Sequence, residues 1–574
     1  MQIDIEVNNK IIKGKRGETI LETLNQNGIH VPTLCRMEGF SPTGACRMCV
    51  VEVEGKSGLI PSCSHPVEES LKIKTHSPRV LKARRMLVEL LLSNHPDDCL
   101  YCGNNGSCEL QDMAVELNIR ERRISGEKTR ANIDQSSPGI VRDPSKCILC
   151  GRCVRVCEEI LGVSTFEFYK RGNDTSIATS LNKDLNFSNC VQCGQCVLVC
   201  PTGALYEKTN FELVNQMLSN NDVNVVVQYD PGIASSIADE LGLRSIKDAS
   251  KVLNSILRKI GFSKVFSTSF AGDVAIYEQS AELADRIKND ENLPMISSSC
   301  PGWIKYMEQS HPDMTDHVST TKSPQQIMGS LIKTYFSETY NIPAEQIFSV
   351  AIMPCTAKKF EAQREEMTHK GISDMDAVIT TRELIKLIKL YGIDIQSISE
   401  EMPDKPFNLR SSAAKLVSVT GGLSESIARS LSYHLNNKEL PELKITKLRG
   451  FKDHKEVFVK MGKYEVGFAV VSGLKNANKL IADIRESNSK IHFIEIMACP
   501  GGCINGGGQP FVADDKVRKN QSKAIYDLDE KEAIKVAHKN SGVINLYHDY
   551  IGDPLGVKAV KLFHTKYSKR DVLL

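Results

Sequence analysis

This 574-residue chain is poor in the features that would tie it to a polymer or a membrane. Its 72 lysines and arginines are offset by 70 aspartates and glutamates, for a net charge of +2. That balance excludes a basic field for nucleic acid and an acidic interaction tail. No apolar run approaches the roughly 18 residues that suggest a membrane span. The opening MQIDIEVNNK lacks a basic stretch followed by an apolar one. The expectation is therefore a cytoplasmic protein that carries no export signal and contacts no membrane. A length of 574 residues exceeds one hydrophobic core, so several domains are expected. Tryptophan occurs once, as Trp303.

Cysteine, by contrast, is abundant. Nineteen is an odd number, and most of the cysteines sit two or three residues apart. Such spacing in an unexported chain suits metal thiolates in a reducing compartment better than disulfides. Cys35, Cys46, Cys49 and Cys63 follow QIDIEV, a turn at Asn8-Asn9 and the helical pattern ETILETLNQNG. A C-x2-C loop with outlying cysteines on both sides, in a β-grasp-like frame, has the layout of a plant-type [2Fe-2S] ferredoxin. Its first spacer is longer than the common x4, and a four-thiolate zinc site is the alternative.

HPDDCLYCGNNGSC supplies Cys99, Cys102 and Cys108 without a fourth cysteine nearby. Three close thiols in need of a partner make His95 the fourth ligand, since a neutral imidazole can bind iron. Cys147, Cys150, Cys153 and Cys157 follow C-x2-C-x2-C-x3-C, and Cys190, Cys193, Cys196 and Cys200 repeat it. This is the pattern of a two-cluster bacterial ferredoxin, in which the last cysteine of each run crosses to the other cluster. Cys157 should thus join Cys190, Cys193 and Cys196, and Cys200 should join the first three. Pro201 follows the second run, whereas Glu158 stands where the first would have proline. Residues 1–209 therefore read as a chain of clusters that moves single electrons.

From about residue 222 short apolar runs alternate with helical patterns such as TRELIKLIKLYG. VNVVVQYDPGI, FSVAIMPC, KLVSVTGG, YEVGFAVVSG and IHFIEIMAC read as buried strands of an α/β domain with mostly parallel sheets. Ligands bind beyond the C-terminal strand ends of such folds, where Cys300, Cys355, Cys499 and Cys503 occur. Together they could hold one more [4Fe-4S] cluster. Isolated buried cysteines are usually small hydrophobes, but four at strand ends, two beside glycine-rich loops, argue for ligation. The glycines of CPGGCINGGGQP would let backbone amides approach an inorganic ligand. Lys358 could bring charge to something anionic, while Lys359 reads as a solvated neighbour.

SSSCPGW, MPCTAKKFE and EIMACPGGCINGGGQP, in that order, resemble the three signature segments of the [FeFe]-hydrogenases. The resemblance covers essentially the whole chain, with the four N-terminal groups similar to the accessory domains of the large clostridial type. YIGDPLGVKAVKLFHTKY resembles the family's small-subunit segment. The implied layout is a plant-type ferredoxin domain over 1–80, a His/Cys3 domain over 81–126, a two-[4Fe-4S] domain over 127–209 and an H-cluster domain over 210–574. The implied cofactors are one [2Fe-2S], three accessory [4Fe-4S] and an H-cluster. Cys300, Cys355, Cys499 and Cys503 would hold the H-cluster cubane, and Cys503 would bridge to a diiron unit carrying CO, cyanide and a dithiolate amine. Lys358 would donate to a cyanide, Met353 and Met497 would pack on the diiron unit, and Pro231, Ser323 and Gln325 would lie nearby. The implied reaction is reversible formation of H2 from protons and electrons, with ferredoxin as carrier and maturation proteins as loading partners.

The family's first motif usually has two adjacent cysteines, and here Ser299 stands in the proton-relay position beside the ligand Cys300. A thiol has a reference pKa near 8.5 and a hydroxyl does not ionise in the working range, so relay through serine should be slower. Glu282, Ser319 and Arg286 match the implied proton path, but Gln279 replaces its usual glutamate. Asp230 replaces a small residue, Val417 a phenylalanine and Pro500 a histidine. These changes imply a divergent member in which Asp230 could serve as a substitute proton group. The competing expectations are a hydrogen sensor, an iron-sulfur assembly scaffold and an electron-transfer subunit like that of complex I. No kinase or phosphatase segment supports the first, and the last leaves MPCTAKKFE and CINGGGQP unexplained.

Overall fold

A computed structural model describes residues 2–129, 131–242, 246–450, 452–486, 490–511 and 515–572. The N-terminal sheet comprises β1 (Gln2–Val7), β2 (Lys10–Lys15), β3 (Val50–Val53), β4 (Ile60–Pro61) and β5 (Lys72–Lys74), in the order β2-β1-β5-β3-β4. Asn8 and Asn9 both have positive φ in the β1–β2 turn, where asparagine is tolerated. The helix Ile20–Gln26 starts at a capping box, with Thr19 accepting from the Glu22 amide and Glu22 returning to the Thr19 amide. This is the expected β-hairpin and helix, and the loop with Cys35, Cys46 and Cys49 lies between that helix and β3.

The helix Pro78–Asn94 leads to His95 as its C-cap. Four short strands follow, β6 (Ile140–Arg142), β7 (Glu167–Tyr169), β8 (Ser176–Ala178) and β9 (Leu205–Glu207), paired β6 with β9 and β7 with β8. Two short helices, Arg152–Arg155 and Gln195–Val199, each start after a left-handed glycine, Gly151 and Gly194, so the duplicated cysteine spacing gives a duplicated local structure.

The remainder is α/β. One sheet has β10 (Asn224–Tyr229), β11 (Lys264–Ser267), β13 (Ile347–Met353) and β16 (Ala377–Thr380) in the order β11-β10-β13-β16, all parallel. β12 (Met295–Ile296) belongs to the other sheet, and the pair β14 (Thr368–His369) and β15 (Ile372–Ser373) stands apart. The other sheet continues with β17 (His454–Met461), β18 (Tyr464–Ser472) and β19 (Ile491–Met497), in the order β12-β19-β18-β17. Only the β17–β18 pair is antiparallel there. β10 and β13 are buried along almost their whole length, as strands covered on both faces should be, whereas β17 alternates as an edge.

One expected strand is absent. In KLVSVTGG the chain forms the short helix Ala413–Leu416 and then a turn, with a single bridge from Val419 to Gly502. Buried Glu495 on β19 accepts from the Gly421 and Ser424 amides at 2.7 Å each, capping the helix Gly422–Asn436 from a distance. That tertiary cap overrides the β-branched texture of a run too short for periodicity to decide.

Candidate active site

The thiols gather in the groups their spacing suggests. Cys35 and Cys46 lie within hydrogen-bond reach, as do Cys49 and Cys63, and the charges of Cys35 and Cys46 act on Cys63. Cys99 and Cys102 act on Cys108 in the same way. His95 is buried; its Nδ1 is 3.1 Å from the Pro96 carbonyl, and its Nε2 has no partner. A ring nitrogen fixed by a carbonyl on one side and left bare on the other has the form of a metal-ligating imidazole.

Cys147, Cys150, Cys153 and Cys200 line one largely apolar cavity with about 440 Å³ of empty space. Cys157 instead acts on Cys190, Cys193 and Cys196. The last cysteine of each run does cross over. Among the described residues no group of three or more histidine, cysteine or acidic side chains converges to hold a single metal ion. The sulfurs of Cys147, Cys150, Cys153 and Cys200 surround a volume, as ligands of a cluster do.

The principal cavity lies between the two sheets, at the C-terminal ends of β12, β13 and β19. It encloses about 760 Å³ of empty space and is lined by all four remaining cysteines. Cys300 follows β12 as the N-cap of the helix Pro301–Ser310, Cys355 follows β13, and Cys499 follows β19 with Cys503 four residues on. Burial pushes the Cys355 thiol up to about 12, an effect that neighbouring Cys300 reinforces and Lys358 opposes. Burial also drives Cys499 and Cys503 well above the usual thiol range. Four thiols converging on one dry site lose their protons only to a cationic centre, so the donor set suits an iron-sulfur group.

Lys358, Met353, Met497, Gln325, Ser299, Asp230 and Val417 also line this cavity. Lys358 Nζ donates to Ser323 Oγ at 2.7 Å and pairs with Glu361 at 2.8 Å. Ser323 therefore stands behind the lysine rather than on the wall. Gln325 Nε2 donates to the Lys358 carbonyl at 3.2 Å and to Glu361 at 3.2 Å. Glu361 was missed in the sequence, although its i,i+3 spacing from Lys358 in MPCTAKKFE is a visible helix-face signal. Pro231 faces a neighbouring cavity. Asp230 accepts from the Gly232 amide at 2.7 Å and from Ser418 Oγ at 3.0 Å, and burial holds its carboxyl above the ordinary carboxylate value.

Lys359 is not solvated. It is 1% exposed, and its ammonium pairs with Glu383 at 2.7 Å and donates to the Lys208 carbonyl. Beside it Arg382 pairs with Glu207 of β9 at 2.8 Å and donates to the Gly507 and Gln509 carbonyls. Gly502 and Gly506 line the cavity, and the glycines of CINGGGQP also serve a second end. A Cβ on Gly506 would stand 2.2 Å from the Pro354 carbonyl oxygen, and one on Gly507 2.2 Å from that of Cys193. They let three backbone segments pack together.

On the proton side, Ser319 Oγ donates to Glu282 at 2.6 Å and Arg286 pairs with Glu282 at 2.8 Å. Ser299 Oγ and both amide atoms of Gln279 are buried without hydrogen-bond partners. The outer leg of the implied path is connected within the protein through Glu282. Sequence reading also missed a branch from the C-terminal tail. His564 Nδ1 lies 2.7 Å from Thr320 Oγ1, and its Nε2 lies 3.1 Å from the buried Glu278, which Tyr547 contacts in turn. No local pattern marks that branch, because His564 is more than 200 residues from both Thr320 and Glu278.

Comparison with known proteins agrees with this geometry. Residues 223–507 match the family described as iron only hydrogenase large subunit, C-terminal domain, and residues 515–570 match iron hydrogenase small subunit. Residues 1–78 match a 2Fe-2S iron-sulfur cluster binding domain. Residues 84–123 match the iron-sulfur binding region of NADH-ubiquinone oxidoreductase-G, and residues 137–206 a ferredoxin-like domain of NADH-quinone oxidoreductase subunit 3. The chain is 39% identical to NADP-reducing hydrogenase subunit HndD of Solidesulfovibrio fructosivorans over 100% of both chains. It is 34% identical to iron hydrogenase 1 of Clostridium pasteurianum over 96% of this chain and 97% of that one. A solved structure of a variant of apo [FeFe]-hydrogenase HydA1 from Chlamydomonas reinhardtii superposes with TM-score 0.57 at 33% identity, covering 63% of this chain and 99% of that one. A probable cytosolic Fe-S cluster assembly factor of Drosophila melanogaster is 35% identical but spans 56% of this chain and 69% of its own. Four cysteines around one cavity, fused to iron-sulfur domains and matched end to end, make this chain a hydrogenase of the iron-only, or [FeFe], family.

Proposed function

We propose that the chain interconverts H2 with two protons and two electrons at an H-cluster held by Cys300, Cys355, Cys499 and Cys503. The observation that carries this reading is the single cavity that all four thiols share with Lys358, Met353 and Met497. When bound, the H-cluster supplies the redox chemistry at iron. The chain's own residues bind it, exclude water and move protons to and from it. Lys358, steadied by Ser323 and Glu361, presents an ammonium suited to a cyanide ligand. Met353 and Met497 give the diiron side soft, polarisable walls.

Electrons would pass one at a time through a cluster at Cys190, Cys193, Cys196 and Cys157, then one at Cys147, Cys150, Cys153 and Cys200. A His95 cluster and a [2Fe-2S] site at Cys35, Cys46, Cys49 and Cys63 would continue the route to ferredoxin or a similar carrier. The domain limits 80, 126 and 209 follow from these groups. Protons would use Ser299, Gln279, Ser319, Glu282 and Arg286, with the serine and the glutamine making the inner leg slow. Asp230 is the candidate for a second proton group on the cavity wall.

The likeness to an iron-sulfur assembly factor favours a second reading, a protein that carries clusters without turning over H2. Infrared spectra of anaerobically matured protein, first under argon and then under H2, separate the two. Iron-bound CO and cyanide bands that shift under H2 are expected. Their absence at full iron load would overturn the hydrogenase proposal in favour of the scaffold.

A further inference from the structure

A second cavity lies against the first, and the chemistry above does not use it. It has about 470 Å³ of empty space, and its walls include Tyr229, Ser267, Ser269, Arg410 and Lys415. Among the described residues no carboxylate lines it. Lys415 is neutralised by Glu532, whereas the Arg410 guanidinium, on the same wall, has no ion pair among the described residues. Tyr229 is 1% exposed, and its hydroxyl approaches the Asn254 and Ser267 side chains without a well-formed hydrogen bond to either. Ser267 Oγ donates to Ser269 Oγ at 3.0 Å, which leaves the Ser269 hydroxyl proton free to donate elsewhere. Ser269 also opens the 21-residue helix Ser269–Asn289, whose dipole turns its positive end to this spot.

The small cavity also borders the ligand crevice of its sheet. β10 is the first strand of its sheet, and the chain places β11 on one side of it and β13 on the other. Such a reversal opens a crevice between the C-terminal ends of β10 and β13, which the large cavity occupies, and the small cavity flanks it on the β11 side. Tyr229 ends β10 and pairs with Ser267, which ends β11.

A guanidinium, hydroxyl donors and a helix N-terminus form a donor-rich site, and its complement is an anion rich in acceptors. We propose that this cavity binds a small oxyanion, with Arg410 and Tyr229 as its anchoring donors. The wall between the cavities then makes the anion a modulator of the active site. Tyr229 and Pro231 line the small cavity while Asp230 between them lines the large one. Ser267 and Ser269 line the small cavity while Thr268 lines the large one. A charge on one side of two strand ends therefore acts one residue away from the other side. Only this coupling rests on the hydrogenase reading, because the binding itself does not.

The test is a calorimetric titration of the iron-loaded protein with inorganic phosphate, and separately with bicarbonate, at fixed pH and ionic strength. Saturable 1:1 binding of at least one of them is expected. Arg410→Gln should weaken it about tenfold or more, Tyr229→Phe about threefold, and Arg410→Lys should retain part of the affinity. Iron content and melting temperature of each variant are measured alongside, so a folding defect cannot pass for a lost contact. No saturable binding of either anion, or binding that Arg410→Gln leaves unchanged, overturns the site. Binding that follows Arg410 while the infrared bands and rates stay fixed overturns the coupling alone.

Discussion

Restoring the inner leg of the proton path should accelerate the enzyme, and by an amount the geometry bounds. Ser319, Glu282 and Arg286 are already joined at 2.6 Å and 2.8 Å. Ser299 and Gln279 are buried, and none of their side-chain polar atoms has a partner. A hydroxyl can exchange a proton only while holding another, and a carboxamide does not titrate. A matched acid or base typically contributes about 10²–10⁴ in rate. Because the two positions act in series, Ser299→Cys alone and Gln279→Glu alone should each give less than about tenfold. Together they should give about 10²–10³, or roughly 3–4 kcal/mol off the barrier. Position 279 is fully buried, so burial should raise the pKa of a glutamate introduced there and cost about 1–3 kcal/mol of stability. H2 evolution and H2 oxidation should both be assayed, at saturating reductant and oxidant, on preparations matched for infrared band intensity. A double variant with a complete H-cluster and an unchanged rate would refute a path through Ser299. So would an undiminished rate in Ser299→Ala, which removes the only hydroxyl at that point.

Replacing His95 by alanine should remove one [4Fe-4S] equivalent of iron and its electron paramagnetic resonance signal while the other clusters remain; unchanged iron would mean that His95 is no ligand. Replacing Glu207 by alanine strands the Arg382 guanidinium among carbonyls at the contact between β9 and the catalytic loop. That should cost about 3–5 kcal/mol, read as a lower denaturant midpoint for the catalytic domain, with Glu207→Gln milder. Burial pushes His434 down to about 4, against a reference of 6.5. Between those values the unfolded chain binds a proton that the folded one refuses, so stability is present above pH 6.5 and is lost as pH falls toward 4, by at most ~3 kcal/mol. Melting curves of wild type and His434→Asn should therefore converge in acid; parallel curves would show that His434 is not the group.

How much of this was readable from the chain depended on whether the signal was local. Cysteine spacing is local, and it anticipated the crossing of Cys157 and Cys200, while the placement of Cys300, Cys355, Cys499 and Cys503 at strand ends anticipated their convergence on one cavity. The runs VNVVVQY and IHFIEIM, rich in Val and Ile, became strands in sheets covered on both faces. KLVSVTGG has the same texture and did not, because Glu495, more than 70 residues away, caps the following helix through its amides. Lys359 reads as solvent-exposed in any local window. Its partner Glu383 arrives on the helix Thr381–Leu390, and only the fold sets a carboxylate against it. The His564 branch is illegible for the same reason, since Thr320 and Glu278 meet it across the whole catalytic domain.

The contacts between the accessory region and the catalytic loop explain why a chain this long is one functional unit. Gln195 Nε2 donates to the Asn505 carbonyl at 2.7 Å, and Thr356 Oγ1 donates to the Gln192 carbonyl at 2.7 Å. Gly507 packs directly on the Cys193 carbonyl and Gly194. Arg382 and Lys359 add charged contacts to Glu207 and the Lys208 carbonyl. Gln192, Gly194, Gln195, Thr356, Lys359, Asn505 and Gly507 each lie within four residues of a proposed ligand, Cys193 or Cys196 on one side and Cys355 or Cys503 on the other. Electron transfer demands a short, fixed separation and little else from the protein between two centres. Glycine at 507 supplies the shortness, because any Cβ there would push the two backbones apart. The buried amide, hydroxyl and ion-pair contacts supply the fixity. On the proposed reading the motif CINGGGQP carries two requirements in one stretch, ligation by Cys503 and close approach to the cluster proposed beside Cys193, and the second is the one that spacing alone could not reveal.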